Sequence, residues 1–435
     1  MAHLTSTFTW LDAGWRCTMA ATALLALVVG SRSAFGLFLS PINTATGLGL
    51  GMIGFAAAVG QLGQGLAQPL VGMLASRLGA TRVIVSGAIG LAATTALITS
   101  TGSALVLTCL ILAAGIAGTA TGSVAMLVGE VAKRVRAERQ GVAIGIVGAG
   151  GPVGQLLLGP LTQQAFDMAG WIVALWLTAA LSLLALPLSM AFHRPVTAGQ
   201  SPHLQSLQAD PAHDAVAAHD AAADTPAAER GHVALRQALR TPAFWLISGG
   251  FAICGFHMSF LTMHMPGVIE RCGLPASLAG TWLAVLGLTN VAGSVAVGLV
   301  LARRCPATLL AALHALRALF IACLLVLPAT PIVMFGFAVA MGATYTAALP
   351  PTTTLVTRTF GAGGIATLFG VVMLIHQVGS FAGVWLGGLM AEAADGYRAI
   401  WLLEIALALI ASALYLPLRP ARSAEFGGFK QALQG

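Results

Sequence analysis

Long uncharged apolar runs recur along this chain, separated by short polar stretches. They cover roughly residues 17–39, 52–75, 83–100, 104–129, 141–166 and 171–192, and then 243–268, 276–301, 307–327, 331–355, 364–390 and 397–417. A bilayer core about 30 Å thick takes about 20 apolar residues per helical crossing. The pattern therefore predicts twelve transmembrane helices in two sets of six. Between the sets, residues 193–242 are rich in Ala, Asp, His and Pro and have too little apolar content to build a core. That composition predicts a flexible linker. The organisation is then an N-terminal stretch 1–16, a bundle 17–192, a linker 193–242, a second bundle 243–417 and a tail 418–435. The first run is long enough to span, and nothing before it reads as a cleaved signal peptide.

Composition agrees with this pattern and excludes several classes. Of the 435 residues, 57% are hydrophobic and 8% are charged, and the mean hydropathy is +0.89. Soluble domains carry about 25% charged residues, so a soluble enzyme, a disordered protein and a nucleic-acid partner are all excluded. The net charge of +7 reads as basic loops retained in the cytoplasm. Placing both termini inside puts Arg16, Arg77, Arg82, Lys133, Arg134, Arg136, Arg139, Arg303, Arg304, Arg358 and Arg419 in the cytoplasm. The same choice puts the basic residues of the linker and the tail there, leaves only Arg271 and Arg398 outside, and leaves Arg32 and Arg317 within spans. Six cysteines show no disulfide or metal spacing, and the linker histidines show no ligand spacing. No cofactor and no metal are expected.

The two halves repeat each other. Gly72 lies five residues before Arg77 after the second run, and Gly298 lies five before Arg303 after the eighth. Gly154 and Gly379, in the fifth and eleventh runs, are similarly offset. Duplicated six-helix halves are the sequence mark of a transporter whose substrate sits between them near mid-membrane.

Twelve runs, a central loop and the Gly72-to-Arg77 loop resemble the major facilitator superfamily. Within it, the chain resembles the bacterial relatives of the monocarboxylate and oxalate/formate transporters. Three stretches carry this likeness: Asp12-Ala13-Gly14-Trp15, RQGVAIGIVGAGGPVG from Arg139 to Gly154, and IHQVGSFAGVWLGG from Ile375 to Gly388. The resemblance implies an all-α integral membrane protein of two pseudo-symmetric six-helix bundles in the bacterial inner membrane, multi-pass and monomeric. It also implies a small organic anion as substrate, with protons or a counter-anion as coupling partner. Two departures stand out. Ser76 replaces an Asp expected in the loop, and Asn290 and Ser294 stand where the monocarboxylate transporters carry an Asp–Arg pair.

Polar groups within spans are costly, so each one is a candidate for function. Arg32 lies in the outer half of the first helix, where the monocarboxylate transporters also carry a basic residue. Its guanidinium could hold a carboxylate through two parallel hydrogen bonds, or it could snorkel to the outer headgroups. Asn290, Tyr345, His376, Gln377 and Thr121 are further substrate-binding candidates, each of them equally suited to join helices. His257, His264 and His376 are proton-coupling candidates, because histidine exchanges a proton near neutral pH. His257 and His264 are seven residues apart and project on nearly the same helix face. Arg317 and Glu404 fit a structural ion pair between peripheral helices, and His314 fits a structural role beside them. Glu130, with Lys133 and Arg134, makes a charge cluster at a helix end. Gly72, Arg77, Arg139, Gly150, Pro152 and Gly154 are conformational candidates, the glycines and proline giving a close, bendable contact between the halves.

The reading is a secondary transporter of a small organic anion, with a monocarboxylate as the expected class. The alternatives are an exporter of drugs or metabolites and, more remotely, a membrane sensor or enzyme. An enzyme would need paired carboxylates, a metal set or an activated nucleophile, and the sequence offers none.

Overall fold

The computed structural model describes residues 13–193, 235–361, 365–393 and 396–419. The linker and both terminal stretches, including Asp12, therefore lie largely outside the described residues. Every regular element described is a helix, and eleven helices are long and apolar enough to cross a membrane. In the first half these are α1 (Ala13–Thr46), α2 (Leu50–Leu78), α3 (Ala80–Ser100), α4 (Ala104–Ala132) and one helix over Glu138–Phe192. That last helix has 55 residues and would be about 80 Å long, far more than one crossing needs.

Gly170 breaks it, with φ 84° and ψ 168°, a conformation that costs glycine little. Before the break, Gly150 lies against Thr22, Gly154 against Ala26 and Leu158 against Gly30, so the chain runs parallel to α1. After it, the Trp176 indole donates to Thr99 Oγ1 (3.2 Å) at the end of α3, and Thr81 at its start donates to the Ser189 carbonyl (3.3 Å). The chain has therefore turned back. We designate the two parts α5 (138–169) and α6 (171–192), which gives the twelve crossings that the apolar runs predict.

The second half comprises α7 (Pro242–Arg271), α8 (Leu278–Leu301), α9 (Pro306–Val326), α10 (Pro331–Phe360), α11 (Ile365–Ala391) and α12 (Arg398–Leu418). Proline opens α7, α9 and α10, and the Thr241 and Thr330 hydroxyls cap α7 and α10. Proline's missing N–H costs nothing in a first turn.

Packing repeats across the halves. In the first, α1 lies on α5 and α2 on α4; in the second, α7 lies on α11 and α8 on α10. The glycine repeat has the same basis in each half. A side chain at Gly154 would meet the Ala26 carbonyl, and one at Gly379 would meet the Ala252 carbonyl. Gly150 and Gly154 thus bring α5 onto α1 within one half. They do not make the contact between halves that their pattern suggested, because they face the neighbouring helix of their own bundle.

The halves meet through α2 on α11, α5 on α8, and α1 on α7. Apart from Arg32 and Arg317 within the helices, the described Lys and Arg collect at the end of the bundle that bears Ala13, with Arg271 and Arg398 at the other. All three seams close at the end remote from the basic cluster. Gly54 on α2 faces Gly388 on α11, Gly159 on α5 faces Gly280 on α8, and Gly36 on α1 faces Met263 on α7. Pro152 does lie at a seam, since a side chain at Gly287 on α8 would sit 2.7 Å from its carbonyl oxygen. At the basic end, Gly72, Gly145, Gly148 and Gly298 have no atom within 4 Å of where a side chain would begin. Gly72 and Arg77 are exposed there, and Arg139 is half-buried at the start of α5. The halves are sealed at one end and parted at the other.

Glu392, just beyond α11, contributes to the seal. Its carboxylate accepts the Gly51 amide (3.2 Å) at the N-terminus of α2, where unpaired amides and the helix dipole favour an anion. A cap of this kind contributes about 0.5–2 kcal/mol. Glu392→Ala is expected to speed hydrogen–deuterium exchange at the start of α2 and the end of α11 while leaving the basic end unchanged. Unchanged exchange at both segments would show that the contact contributes nothing to the seal.

Candidate binding cavity between the halves

Helices α4 and α10, the fourth of each half, are both broken. Ser123 leaves helical geometry (ψ 122°) between Ala104–Gly122 and Val124–Ala132, and α10 is interrupted between Thr344 and Leu349. Irregular backbone at membrane depth is tolerated where protein or a water-filled cavity covers it. Both breaks border the same cavity, which measures about 830 Å³ with the space open to solvent.

From the first half, Arg32, Gln64, Gln68, Thr119 and Ser123 line it. From the second come Cys254, Tyr345, Thr346, His376 and Gln377, with Phe251, Met258 and Met373 among the apolar groups. A neighbouring cavity of about 750 Å³ is lined by the first half and by Met263 of α7, and shares Val28, Arg32 and Gln64. Its wall is mainly apolar and comes almost wholly from the first half, whereas the larger one draws on both halves and has the greater share of polar groups. That combination is what a small-molecule site requires.

Arg32 stands in the wall common to both cavities and is half-buried. No hydrogen bond or ion pair joins its guanidinium to another described residue, and no carboxylate lines either cavity. A cation held at this depth without a protein counter-ion favours an anionic guest. The side chain thus borders the space between the helices at both cavities.

Tyr345, at the break in α10, donates its hydroxyl to the Met258 carbonyl (3.0 Å). Gln377 spans the seam, its amide donating to the Gln61 carbonyl of α2 (3.0 Å), and its oxygen lies 3.1 Å from His376 Nδ1. The His376 ring packs against Phe251 with centroids 4.5 Å apart. Tyr345→Phe removes the neutral hydrogen bond to the Met258 carbonyl, worth about 1 kcal/mol, which should loosen the wall at the break in α10 and lower ligand affinity by at most about 5-fold in a binding titration. An unchanged affinity would place the hydroxyl outside the site.

Other candidates stand elsewhere. Asn290 is buried behind the wall, its Oδ1 accepting from the Thr346 amide (3.2 Å) and hydroxyl (2.6 Å). It holds the broken turn of α10, and Thr346 in front of it lines the cavity. Thr121 is buried too, bonded to the Ala117 carbonyl of its own helix (2.9 Å) and packed beside Gly87; Thr119 lines the cavity in its place. His264 lies against the Val384 carbonyl (2.8 Å), bordering a separate pocket at the sealed end with Glu270, Arg271 and Tyr397. Burial pushes the Tyr397 phenol above its ordinary range, with Arg271 opposing. His257 faces away from the cavity, towards α12.

Arg317 and Glu404 do not pair. The guanidinium donates to the Thr344 and Tyr345 carbonyls, the Thr344 hydroxyl and Cys254 Sγ. Three acceptors at the break in α10 and one on α7 are closer to it than any carboxylate. Glu404 Oε2 instead lies 3.3 Å from His257 Nε2.

Several wall residues escaped the sequence reading. Gln61, Gln64 and Gln68 form a polar stripe at helical spacing in α2, with Gln61 in the wall of the neighbouring cavity, and Thr119, Ser123 and Thr346 mark the two breaks. The stripe and the matching interruptions GTATGS and GATYTA, each in the fourth run of its half, were the available signals.

The sequence profile of the Major Facilitator Superfamily matches residues 21–383. The chain is 27% identical over 158 residues to an uncharacterised MFS-type transporter, YcxA, of Bacillus subtilis (strain 168). That match covers 35% of this chain and 38% of the relative, so the chain spans little more than a third of the relative's length. Among solved structures, a bacterial homologue of the human lysosomal transporter Spinster, inward-facing and occupied, superposes with a TM-score of 0.72 at 17% identity, over 92% of this chain and 96% of that one. A D-xylose–proton symporter gives 0.71 at 14% identity (93% and 98%), and a nucleoside transporter 0.73 at 11% (94% and 100%). At such identities the likeness speaks for the fold alone.

Proposed function

The chain belongs to the major facilitator superfamily, and from that premise we propose that it is a secondary transporter of a small organic anion, with monocarboxylates the fitting class. The observation that carries this reading is Arg32, a guanidinium in the cavity wall with no hydrogen-bonded or ionic partner among the described residues. A planar fork of donors suits a carboxylate geometrically, and the apolar wall around it suits a short hydrocarbon body.

The excess of Lys and Arg at one end orients that end to the cytoplasm by the positive-inside rule. In this orientation the cavity opens inward and the closed seams face outward. Transport then alternates between this arrangement and one with the seams exchanged, driven by protons or by exchange for another anion. The membrane is the bacterial inner membrane and both termini are cytoplasmic. The unit that moves is each six-helix half, with 193–242 joining them.

Apolar lining from Phe251, Met258 and Met373 favours a second reading, an exporter of larger metabolites or drugs. A thermal-shift screen of the purified protein separates the two. Carboxylates of graded length and their uncharged amides are compared at acid and neutral pH. Stabilisation by short carboxylates and not by their amides supports the anion reading. Stabilisation by large neutral compounds alone would replace it with the exporter.

A further inference from the structure

Behind the cavity, the second half holds a buried group of ionisable side chains that the binding site does not use. Glu404 on α12 is the one fully buried carboxylate among the described residues. Neither of its oxygens has a hydrogen-bond partner of good geometry, and its nearest basic atom is His257 Nε2 on α7, at 3.3 Å. The same nitrogen lies 3.0 Å from the Glu404 backbone carbonyl. A carbonyl only accepts, so the ring carries its hydrogen on Nε2. Nδ1 is then a buried bare lone pair with no partner among the described residues.

The groups facing this pair come from every side. From α9, His314 bonds its Nδ1 to the Leu310 carbonyl (2.9 Å), lies 6.5 Å from the His257 ring and leaves Nε2 unpaired. From the same helix comes Arg317, fully buried and directed at the break in α10. Tyr415, further along α12, stacks near His314 with its hydroxyl unpaired. Cys254 on α7 accepts from Arg317 (3.3 Å) and reaches the cavity, with His376 of α11 beyond it in the cavity wall.

An isolated buried charge is far costlier than a paired one. In the state where Glu404 is ionised and both histidine rings carry no charge, Arg317 supplies one positive charge and Glu404 one negative charge. The group is then balanced. Adding one proton leaves it at +1, with Arg317 uncompensated. Unpaired acceptors around a lone carboxylate are what a site for that proton needs.

We propose that Glu404 and His257 together form the proton-binding site of this transporter, buried in the second half and separate from the anion site at Arg32. One proton is gained by the Glu404–His257 pair and released later, with no other bond made or broken. It acts on the cavity through Arg317, which holds the Thr344 and Tyr345 carbonyls where α10 breaks. Neutralising Glu404 removes the counter-charge of Arg317 and so strengthens the field felt by an anion in the cavity. This inference rests on the transporter reading, but the site's protonation does not require that the anion be identified.

The test is infrared difference spectroscopy of the purified full-length protein between mildly acidic and mildly alkaline pH. A buried carboxylic-acid carbonyl band is expected to appear on acidification, to shift in protein labelled with isotopic glutamate, and to be absent in Glu404→Gln. Glu404→Asp is expected to restore a titrating band that glutamate labelling no longer shifts, and His257→Gln to move the midpoint. The labelled wild-type protein keeps the test decisive if Glu404→Gln does not fold. No glutamate-derived band in the wild type, or an unchanged band in a folded Glu404→Gln, would overturn the proposal. In liposomes, Glu404→Gln should still exchange radiolabelled lactate for unlabelled lactate but lose at least 10-fold of the accumulation driven by a pH gradient. Gradient-driven accumulation equal to wild type would also overturn it. If the wild type carries no lactate, the anion reading fails while the spectra still decide the proton site.

Discussion

Arg32→Ala is expected to lower the affinity for a small carboxylate by about 100-fold. A charge-assisted hydrogen bond contributes about 1.5–3 kcal/mol, and a bidentate pair lost from a half-buried wall should remove about 3 kcal/mol, or two decades in Kd. The remaining wall offers amides, hydroxyls and a histidine, none of which replaces a fixed cation. Arg32→Lys keeps the charge but loses the planar fork, so its affinity should fall between the two. Titration calorimetry with a monocarboxylate that stabilises the wild type reads both variants. An alanine variant that binds as the parent does would remove Arg32 from the site and return it to a packing role.

Gly287→Leu should have the largest effect on conformation. The first side-chain atom alone would stand 2.7 Å from the Pro152 carbonyl and 2.9 Å from Gln155 Cβ. Backbone cannot yield there as a flexible side chain would, so α5 and α8 must separate along this seam. Overpacking costs about 1–3 kcal/mol, which corresponds to about a 5- to 150-fold shift between two states. Spin labels on the sealed ends of α5 and α8 should move apart in Gly287→Leu. Gly298→Leu, on the same helix but with open space around it, should leave that distance unchanged. Equal distances in both variants would contradict the placement of the seal.

Much of this fold was legible because membrane insertion writes a coarse signal. Each crossing needs an uninterrupted apolar run, so twelve runs gave twelve helices even where only the turn at Gly170 separates two of them. Duplication was legible for a similar reason, since Gly154 and Gly379 answer to the same close approach in each half. The site was legible only in part. Arg32 stood out because an intramembrane charge is rare. Tyr345, His376 and Gln377 line the cavity as their helices led us to expect.

Where the sequence reading failed, rotation about the helix axis was the cause. Thr121 and Thr119 are two residues apart and so face different ways, and position along the run does not separate them. Asn290 lies one layer behind Thr346 because Thr346 belongs to a turn that is not helical. Arg317 and Glu404 looked like partners because each was a lone charge. Broken α10 offered carbonyls that outcompeted the carboxylate, a feature invisible until the break itself is seen.

The most direct measurement is counterflow in proteoliposomes of the wild-type protein, loaded with unlabelled lactate and placed in a trace of radiolabelled lactate. Saturable accumulation of label, suppressed by other short monocarboxylates and unaffected by lactamide, is the expected result. Accumulation no greater than in protein-free liposomes for lactate and every short monocarboxylate tried in its place, or competition by lactamide equal to that by lactate, would contradict it.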